Sequence, residues 1–123
     1  MKTFLQQRSK SFAYAFRGIY IFFRDETHAK IHLFAAICVV FAGFFFDIQN
    51  WEWCVVLLAI GTVLCAEALN SALERLTDLA SPEYHILAEK TKDLAAGAVL
   101  LMSIFAALVG LIVFLPKIMA ILP

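Results

Sequence analysis

Three long apolar runs, separated by short polar segments, make up most of the chain and predict helices that cross a membrane. The runs are Ile31 to Phe46, Trp51 to Ala66 and Leu94 to Leu115. Because a helix needs roughly 20 residues to cross the hydrocarbon core, the first two spans must continue into the flanking polar residues. We therefore expect three spans, at about 29–47, 51–78 and 89–115.

The segments outside the spans are a basic N-terminal region and short connections. Residues 3–26 mix aromatic side chains with Arg and Lys, which predicts an amphipathic helix on the inner leaflet with its cations on anionic headgroups. Ser81 and Pro82 predict a break between the second and third spans, because proline removes a backbone donor and restricts the residue before it. Pro116 and Lys117 are expected to end the third span.

The distribution of Lys and Arg predicts which side of the membrane each segment faces. The residues before the first span are Lys2, Arg8, Lys10, Arg17, Arg24 and Lys30. The first connection contains neither Lys nor Arg, whereas the second contains Arg75, Lys90 and Lys92. The positive-inside rule then places the N-terminus and the second connection in the cytoplasm, and the C-terminus outside.

Composition agrees with a small membrane protein. Hydrophobic residues make up 63% of the 123-residue chain, which is too many for a soluble domain of this length. The length allows one domain, which we expect to comprise residues 1–123. The acidic residues balance Lys and Arg at ten each, so net charge does not indicate nucleic acid, and no such partner is expected.

Four polar side chains follow the second apolar run at helical spacing: Glu67, Asn70, Glu74 and Asp78. At about 100° per residue they lie within an arc of roughly 80° on one helix face. A carboxylate at the edge of a bilayer core costs a few kcal/mol without a partner, so these residues are functional candidates. Either a divalent metal or a cation from another helix would relieve the repulsion between the carboxylates.

Three polar patches lie at the same predicted cytoplasmic boundary: residues 24–28, the polar end of the second span, and residues 83–93. Carboxylates and an amide beside lysines suit a hard cation such as Mg²⁺ and an anionic phosphate. They suit zinc poorly, since His and Cys do not cluster. Neither a P-loop sequence nor a GxGxxG sequence is present, so side chains would have to hold a nucleotide. Phosphoryl transfer allows this, because its catalysis is mostly positioning and charge stabilisation.

The second and third patches resemble the signature of a known family. The matching sequence is Glu67-Ala-Leu-Asn70-Ser71-Ala-Leu-Glu74, then Asp78, then Ala88-Glu-Lys-Thr-Lys92-Asp93. It is similar to the small bacterial integral-membrane lipid kinases, which are the prokaryotic diacylglycerol kinases and undecaprenol kinases. The resemblance covers nearly the whole chain. It implies an all-α protein of the bacterial cytoplasmic membrane, with a surface helix, three transmembrane helices and a homotrimer that shares its active sites.

The resemblance also implies roles for individual residues, with ATP as phosphate donor and Mg²⁺ as cofactor. Glu67 matches the catalytic base, and Glu26 and Glu74 match metal ligands. The residues that match nucleotide contacts are Tyr14, Asn70, Glu83, Tyr84, His85, Lys92 and Asp93. The implied acceptor is the hydroxyl of a membrane lipid alcohol, which would lie near Glu67 at the cytoplasmic boundary.

The segment Lys30-Ile31-His32 bears on the choice of lipid alcohol. It is similar to the Arg-Ile-His of the undecaprenol kinases, whereas the well-known diacylglycerol kinases have an acidic residue at the position of His32. We therefore expect His32 to contact the lipid and undecaprenol to be the substrate, with diacylglycerol as the alternative. Taken alone, His32 is also explained as a membrane-boundary residue hydrogen-bonded to backbone.

Two explanations do not involve kinase chemistry. Glu67 and Glu74 could pair with lysines of a neighbouring helix as structural contacts. A small transporter or assembly subunit could use intramembrane acids to carry protons or cations. A proton relay should distribute ionisable groups across the bilayer, whereas here the clusters lie at one boundary, and this favours the lipid kinase.

Overall fold

Four α-helices make up the computed structural model, which describes residues 2–122 apart from the side chains of residues 2, 3 and 5. The helices are α1 (Lys2–Asp25), α2 (Thr27–Phe45), α3 (Asn50–Ala80) and α4 (Ile86–Ile121). Met1 and Pro123, the ends of the predicted domain, lie outside the described residues, as does the side chain of Lys2. Three helices, α2, α3 and α4, are long and apolar enough to cross a membrane, which confirms an all-α protein with three candidate spans.

The helix α3 is central to the protomer. It packs against α4 more extensively than against α2, while α1 has few contacts with α2. Many large apolar side chains of the three spans are exposed, among them Phe41, Leu58 and Ile112. Such a surface suits lipid tails or other transmembrane helices, since lipid is as apolar as these side chains.

The turn between α2 and α3 is built by its own backbone hydrogen bonds. The Asp47 N–H donates to the Phe44 carbonyl at 3.3 Å, and the Ile48 N–H donates to the Gly43 carbonyl at 3.1 Å. This is a Schellman motif, in which a residue in the left-handed region follows the helix. Asp47 occupies that position with a φ of 46°, a backbone region in which Asp is enriched among non-glycine residues.

A small apolar core lies at the same end of the protomer. Ile48, Val56 and Val113 are buried there, and Phe46 and Phe114 pack around them with ring centroids 6.1 Å apart. Side chains from the turn, α3 and α4 all contribute. The core therefore fixes the end of the protomer opposite to the polar side chains Glu67, Asn70, Glu74 and Asp78 of α3.

Glu52 and Lys117 connect the start of α3 to the end of α4. The Oε2 atom of Glu52 accepts the Gln49 N–H at 2.7 Å and lies 3.1 Å from the Lys117 Nζ. The helix α4 continues through Pro116 to Ile121, six residues beyond the predicted end of the third span at residue 115. Proline removes one backbone hydrogen bond, and the ion pair of Lys117 with Glu52 holds the following turn against α3.

Gly43 makes room for the ring of Trp53 where α2 packs on α3. A Cβ atom at residue 43 would lie 2.5 Å from the Trp53 Cη2, and the ring is held in place by Phe44, with centroids 4.9 Å apart. We therefore expect Gly43→Ala to lower the free energy of unfolding in detergent micelles by about 1–3 kcal/mol, the usual cost of overpacking. Denaturant unfolding followed by circular dichroism measures this change.

The matched control is Gly61→Ala on α3, where an added Cβ meets no atom within 4 Å in the protomer. Alanine has the higher helix propensity, so this variant should be at least as stable as the parent. Equal stability of the Gly43 and Gly61 variants would contradict the role of Gly43 as a packing point.

Candidate functional site

The polar stripe on α3 is turned towards the other helices. Glu67 is only 4% exposed, Ser71 is 7% exposed and Asn70 is 9% exposed. Glu74 follows one turn later and is half-buried. Helical spacing places these four side chains, Glu67, Asn70, Ser71 and Glu74, on one face of α3. The second span therefore carries a nearly buried row of polar groups, which we call the row.

Asn70 has the best-defined geometry in this row. Its Nδ2 donates to the Oε1 of Glu74 at 3.3 Å. Its Oδ1 is buried without a hydrogen-bond partner among the described residues. Buried amide oxygens without a donor are uncommon in native proteins, so this atom has lone pairs available for a ligand. Within the described part of the protomer, neither Glu67 nor Glu74 forms an ion pair with Lys, Arg or His.

The donor set of this row fits a hard cation. Carboxylate oxygens and an amide oxygen are ligand types that Mg²⁺ accepts, and the Asn70 Oδ1 has no competing donor. Glu26, the other predicted metal ligand, contacts Arg75 instead of the row. Among the described residues no group of three or more His, Cys, Asp and Glu side chains could hold a metal ion. The protomer thus brings Asn70 and Glu74 together but does not gather them with the Glu26 carboxylate into one site.

Glu26 lies between α1 and α2 and reaches α3 through Arg75. The Arg75 Nη2 is 2.7 Å from the Glu26 Oε1 and 3.9 Å from the Asp25 Oδ2. Arg24 also donates to the Asp25 Oδ2, at 2.9 Å, and its hydrogen bonding lowers the pKa of Asp25 below the usual value. These contacts tie the α1–α2 junction to the turn of α3 that contains Glu74.

The connection between α3 and α4 forms a cleft of about 410 Å³. Its charged and aromatic lining residues are Asp78, Glu83, Tyr84, His85, Glu89 and Lys92. Four of the predicted nucleotide contacts therefore surround one space. The other three predicted nucleotide contacts do not line this cleft: Tyr14 lies on α1, Asn70 lies in the buried row of α3, and Asp93 is exposed on α4.

Specific contacts shape the walls of the cleft. The Lys92 Nζ is 2.5 Å from an Asp78 carboxylate oxygen, which joins α4 to α3. The Tyr84 hydroxyl donates to the Glu89 Oε2 at 2.8 Å, and this hydrogen bond raises the pKa of Tyr84 above its usual value, with a further contribution from burial. The His85 Nδ1 accepts the backbone N–H two residues later at 3.1 Å, so His85 caps the start of α4.

An apolar groove of about 280 Å³ runs between α2, α3 and α4. Small side chains form much of its lining: Ala35, Ala36, Ala59, Ala106, Ala107 and Gly110. His32 of α2 and Val63 of α3 also line it. Val63 is four residues before Glu67, which places the two on the same face of α3 one turn apart. The groove therefore extends from the apolar part of the spans towards the polar row.

Comparison with known proteins identifies the family. Residues 13–114 match the family described as prokaryotic diacylglycerol kinase. The chain belongs to this family. Its relatives include an undecaprenol kinase of Bacillus subtilis, 40% identical over 108 residues that make up 88% of each chain. A diacylglycerol kinase of Synechocystis sp. is 36% identical over 91% of this chain and 65% of the relative. The diacylglycerol kinase of Escherichia coli K12 is 26% identical over 80% of this chain and 81% of the relative.

As a member of the prokaryotic diacylglycerol kinase family, the protein is a membrane enzyme, a lipid kinase with ATP as co-substrate. This confirms the family and the activity expected from the Glu67–Glu74 motif. It also favours the lipid kinase over a transporter or an assembly subunit.

Ser71 and Glu89 belong to the row and the cleft, and Arg75 contacts Glu26, yet none of them was among the predicted site residues. Ser71 is buried beside Asn70, and its spacing of four from Glu67 could have revealed it. Glu89 lines the cleft and binds Tyr84, a contact with no clear signal in the sequence. Arg75 contacts Glu26 across 49 positions of the chain, which only the packing of the helices shows.

Proposed function

We propose that this kinase transfers the γ-phosphate of ATP to the hydroxyl of undecaprenol, with diacylglycerol as the alternative acceptor. The observation that carries the proposal is a buried Glu67 one turn beyond the end of an apolar groove. A lipid chain in the groove would bring its polar end towards His32 and Glu67. The 40% identical relative named undecaprenol kinase supports the first acceptor, and the relatives named diacylglycerol kinase support the second.

Glu67 acts as the general base in this proposal. The lipid hydroxyl oxygen attacks the γ-phosphorus, the bond from that phosphorus to the bridging oxygen breaks, and ADP leaves. Glu67 accepts the proton that the hydroxyl loses. The low exposure of its carboxylate and the absence of a cation beside it within the described protomer both support a base that is free to accept.

Glu26 and Glu74 are the proposed ligands of Mg²⁺. The cation, when bound, neutralises charge that develops on the phosphate oxygens. The Asn70 Nδ2 donates to Glu74 and has a second hydrogen that suits a phosphate oxygen, while its Oδ1 is an acceptor that suits the cation or a water bound to it. Support for this assignment comes from the oxygen-rich donor set and from the family motif.

The cleft between α3 and α4 is the proposed nucleotide site. Lys92 supplies a positive charge for the phosphates, while Glu83, Tyr84 and His85 provide polar and aromatic contacts. Tyr14 and Asp93 lie outside the cleft of a single protomer. We assign them to nucleotide contacts that are completed when further copies of the chain assemble.

The proposed assembly is a homotrimer in the cytoplasmic membrane with shared active sites. The exposed apolar faces of the spans are suited to packing against other copies. The Lys and Arg distribution supports a cytoplasmic N-terminus and active site, α1 on the inner leaflet, and an outer C-terminus. Light scattering of the detergent complex counts the chains, and a number other than three would contradict this assembly.

The activity is tested with radiolabelled ATP and detergent-purified protein in matched mixed micelles. We expect label to enter undecaprenol faster than diacylglycerol, and no labelled lipid to form in a control without either alcohol. Labelled lipid from neither alcohol would contradict the assignment. A clear preference for diacylglycerol would overturn the choice of undecaprenol while leaving the lipid kinase activity in place.

Two variants of His32 test its part in this preference. A histidine at the boundary donates a hydrogen bond to one hydroxyl, whereas a glutamate there would repel the phosphorylated product. Because the well-known diacylglycerol kinases have an acidic residue at this position, we expect His32→Glu to narrow the difference in rate between the two lipids. His32→Gln keeps a neutral donor and is the matched control, which should preserve the preference. An unchanged preference in His32→Glu would show that His32 does not select the lipid.

A further inference from the structure

Arg75 makes a contact that the proposed reaction does not explain. Its guanidinium reaches from α3 to Glu26, with the Nη2 2.7 Å from the Glu26 Oε1. Glu26 itself is the residue before α2 and has an extended backbone without a side-chain cap of its own. The connection from α1 to α2 is one residue long, and α1 has few contacts with α2. The position of the Glu26 carboxylate thus depends on a partner outside its own segment.

The contact engages only one oxygen of Glu26. The Oε1 atom accepts the hydrogen bond from Arg75, while the Oε2 atom is not part of it. Arg75 follows Glu74 directly in the chain, so the guanidinium holds Glu26 beside the turn of α3 that carries the second proposed ligand. A carboxylate held by one oxygen can still offer the other to a cation.

A contribution to stability is a poor explanation for this contact. The Arg75 side chain is 54% exposed and that of Glu26 is 24% exposed. Ion pairs that remain exposed to solvent contribute little to folding, because water screens the charges and both long side chains lose freedom. What such a contact does provide is a fixed orientation of the carboxylate.

We propose that Arg75 is a positioning residue that holds the Glu26 carboxylate in the orientation needed for the metal-dependent step. This inference rests on the proposed role of Glu26 as a metal ligand. Arg24 donates two hydrogen bonds to Asp25, which leaves the Arg75 guanidinium directed mainly at Glu26. Groups that orient a metal ligand commonly change metal affinity or activity by about 10–100-fold when they are removed.

The test has two readouts on the full-length protein in mixed micelles. The first is the rate at saturating ATP and lipid as free Mg²⁺ is raised. The second is the binding of Mn²⁺ in place of Mg²⁺, measured by electron paramagnetic resonance with ADP and without lipid substrate, which Arg75→Gln should weaken and Arg75→Lys should weaken less. Arg75→Gln should require about 10-fold more Mg²⁺ for half-maximal rate, and excess Mg²⁺ should restore most of the parent rate. Arg75→Lys keeps the positive charge, and its Mg²⁺ requirement should lie between those of the parent and Arg75→Gln. The matched control is Lys90→Ala, which removes an exposed cation from α4 and should behave as the parent.

A double variant separates positioning from a general effect of charge. If Arg75 acts through Glu26, then Arg75→Gln combined with Glu26→Gln should be no worse than Glu26→Gln alone. Additive effects would overturn the proposal, as would an unchanged Mg²⁺ requirement in Arg75→Gln. A lower requirement would overturn it too, because Arg75 would then compete with the cation for Glu26.

The titration also distinguishes failure of the proposed role of Glu26 as a Mg²⁺ ligand from failure of the role of Arg75. In that case Glu26→Gln by itself would keep the Mg²⁺ requirement of the parent, which overturns both the ligand assignment and the role of Arg75. If Glu26→Gln needs more Mg²⁺ while Arg75→Gln does not, the ligand assignment stands and only the positioning role fails. Circular dichroism melts of each variant check that the protein is folded. If Arg75→Gln unfolds, Arg75→Lys replaces it in the Mg²⁺ titration.

Discussion

Glu67→Gln should lower the rate of lipid phosphorylation by at least about 100-fold, since a general base typically contributes about 10²–10⁴-fold. The substitution keeps the size and polarity of the side chain but removes its ability to accept a proton. Glu67 is 4% exposed, so a glutamine of the same shape preserves the packing on this face of α3. The measurement is the initial rate of label transfer from ATP at saturating lipid and Mg²⁺.

Glu52→Gln is the matched control for this variant. It makes the same chemical change on the same helix, but Glu52 lies at the opposite end, where it pairs with Lys117. This variant should lose some stability and keep its rate per folded molecule. A near-normal turnover in Glu67→Gln would refute the base, and an equal loss in both variants would point to the fold rather than to the chemistry.

Glu74→Ala and Glu26→Ala should both raise the Mg²⁺ requirement and lower the maximal rate. Each substitution removes a charged oxygen ligand from a site for a hard cation. We expect the larger effect for Glu74, because its loss also frees the Asn70 side chain that it holds at 3.3 Å. A titration of Mg²⁺ at fixed ATP gives both quantities for each variant.

The ligand assignment is judged against the same Glu52→Gln control, which should saturate at the Mg²⁺ concentration of the parent. Saturation of both alanine variants at that concentration would show that these glutamates do not bind the cation. A lower rate with an unchanged Mg²⁺ requirement would assign them to a role in folding or nucleotide binding.

The candidate site was partly predictable because its central residues are local in sequence. Glu67, Asn70 and Glu74 share one face through helical spacing alone, and the structure places that face inward. The groups of the cleft were also close together in the chain, on the two sides of the break at Pro82. Tyr14, however, lies on the N-terminal helix and outside the cleft, so its predicted role was not supported by proximity within one protomer.

Contacts between distant segments could not be predicted from a local pattern. Arg75 contacts Glu26, which is 49 positions away in the chain, and Lys117 contacts Glu52 at the other end of the protomer. Neither pair has a spacing signal, because the distance between the partners depends on how the helices pack. The continuation of α4 beyond Pro116 was not predicted for a different reason: within a sequence, proline more often indicates that a helix ends.

By itself, the sequence determined that the protein is helical, that three of its helices are apolar enough to span a membrane, and that α3 carries a polar face. The physical reason is that a backbone in lipid must satisfy its own hydrogen bonds, so an apolar run of sufficient length becomes a helix. Only the tertiary structure decided which distant groups are in contact. Glu26 contacts Arg75, and the apolar groove ends one helical turn before Glu67. Those contacts follow from the packing of α2 and α4 on α3. This packing depends on many individually weak contacts, so no single sequence motif indicates it.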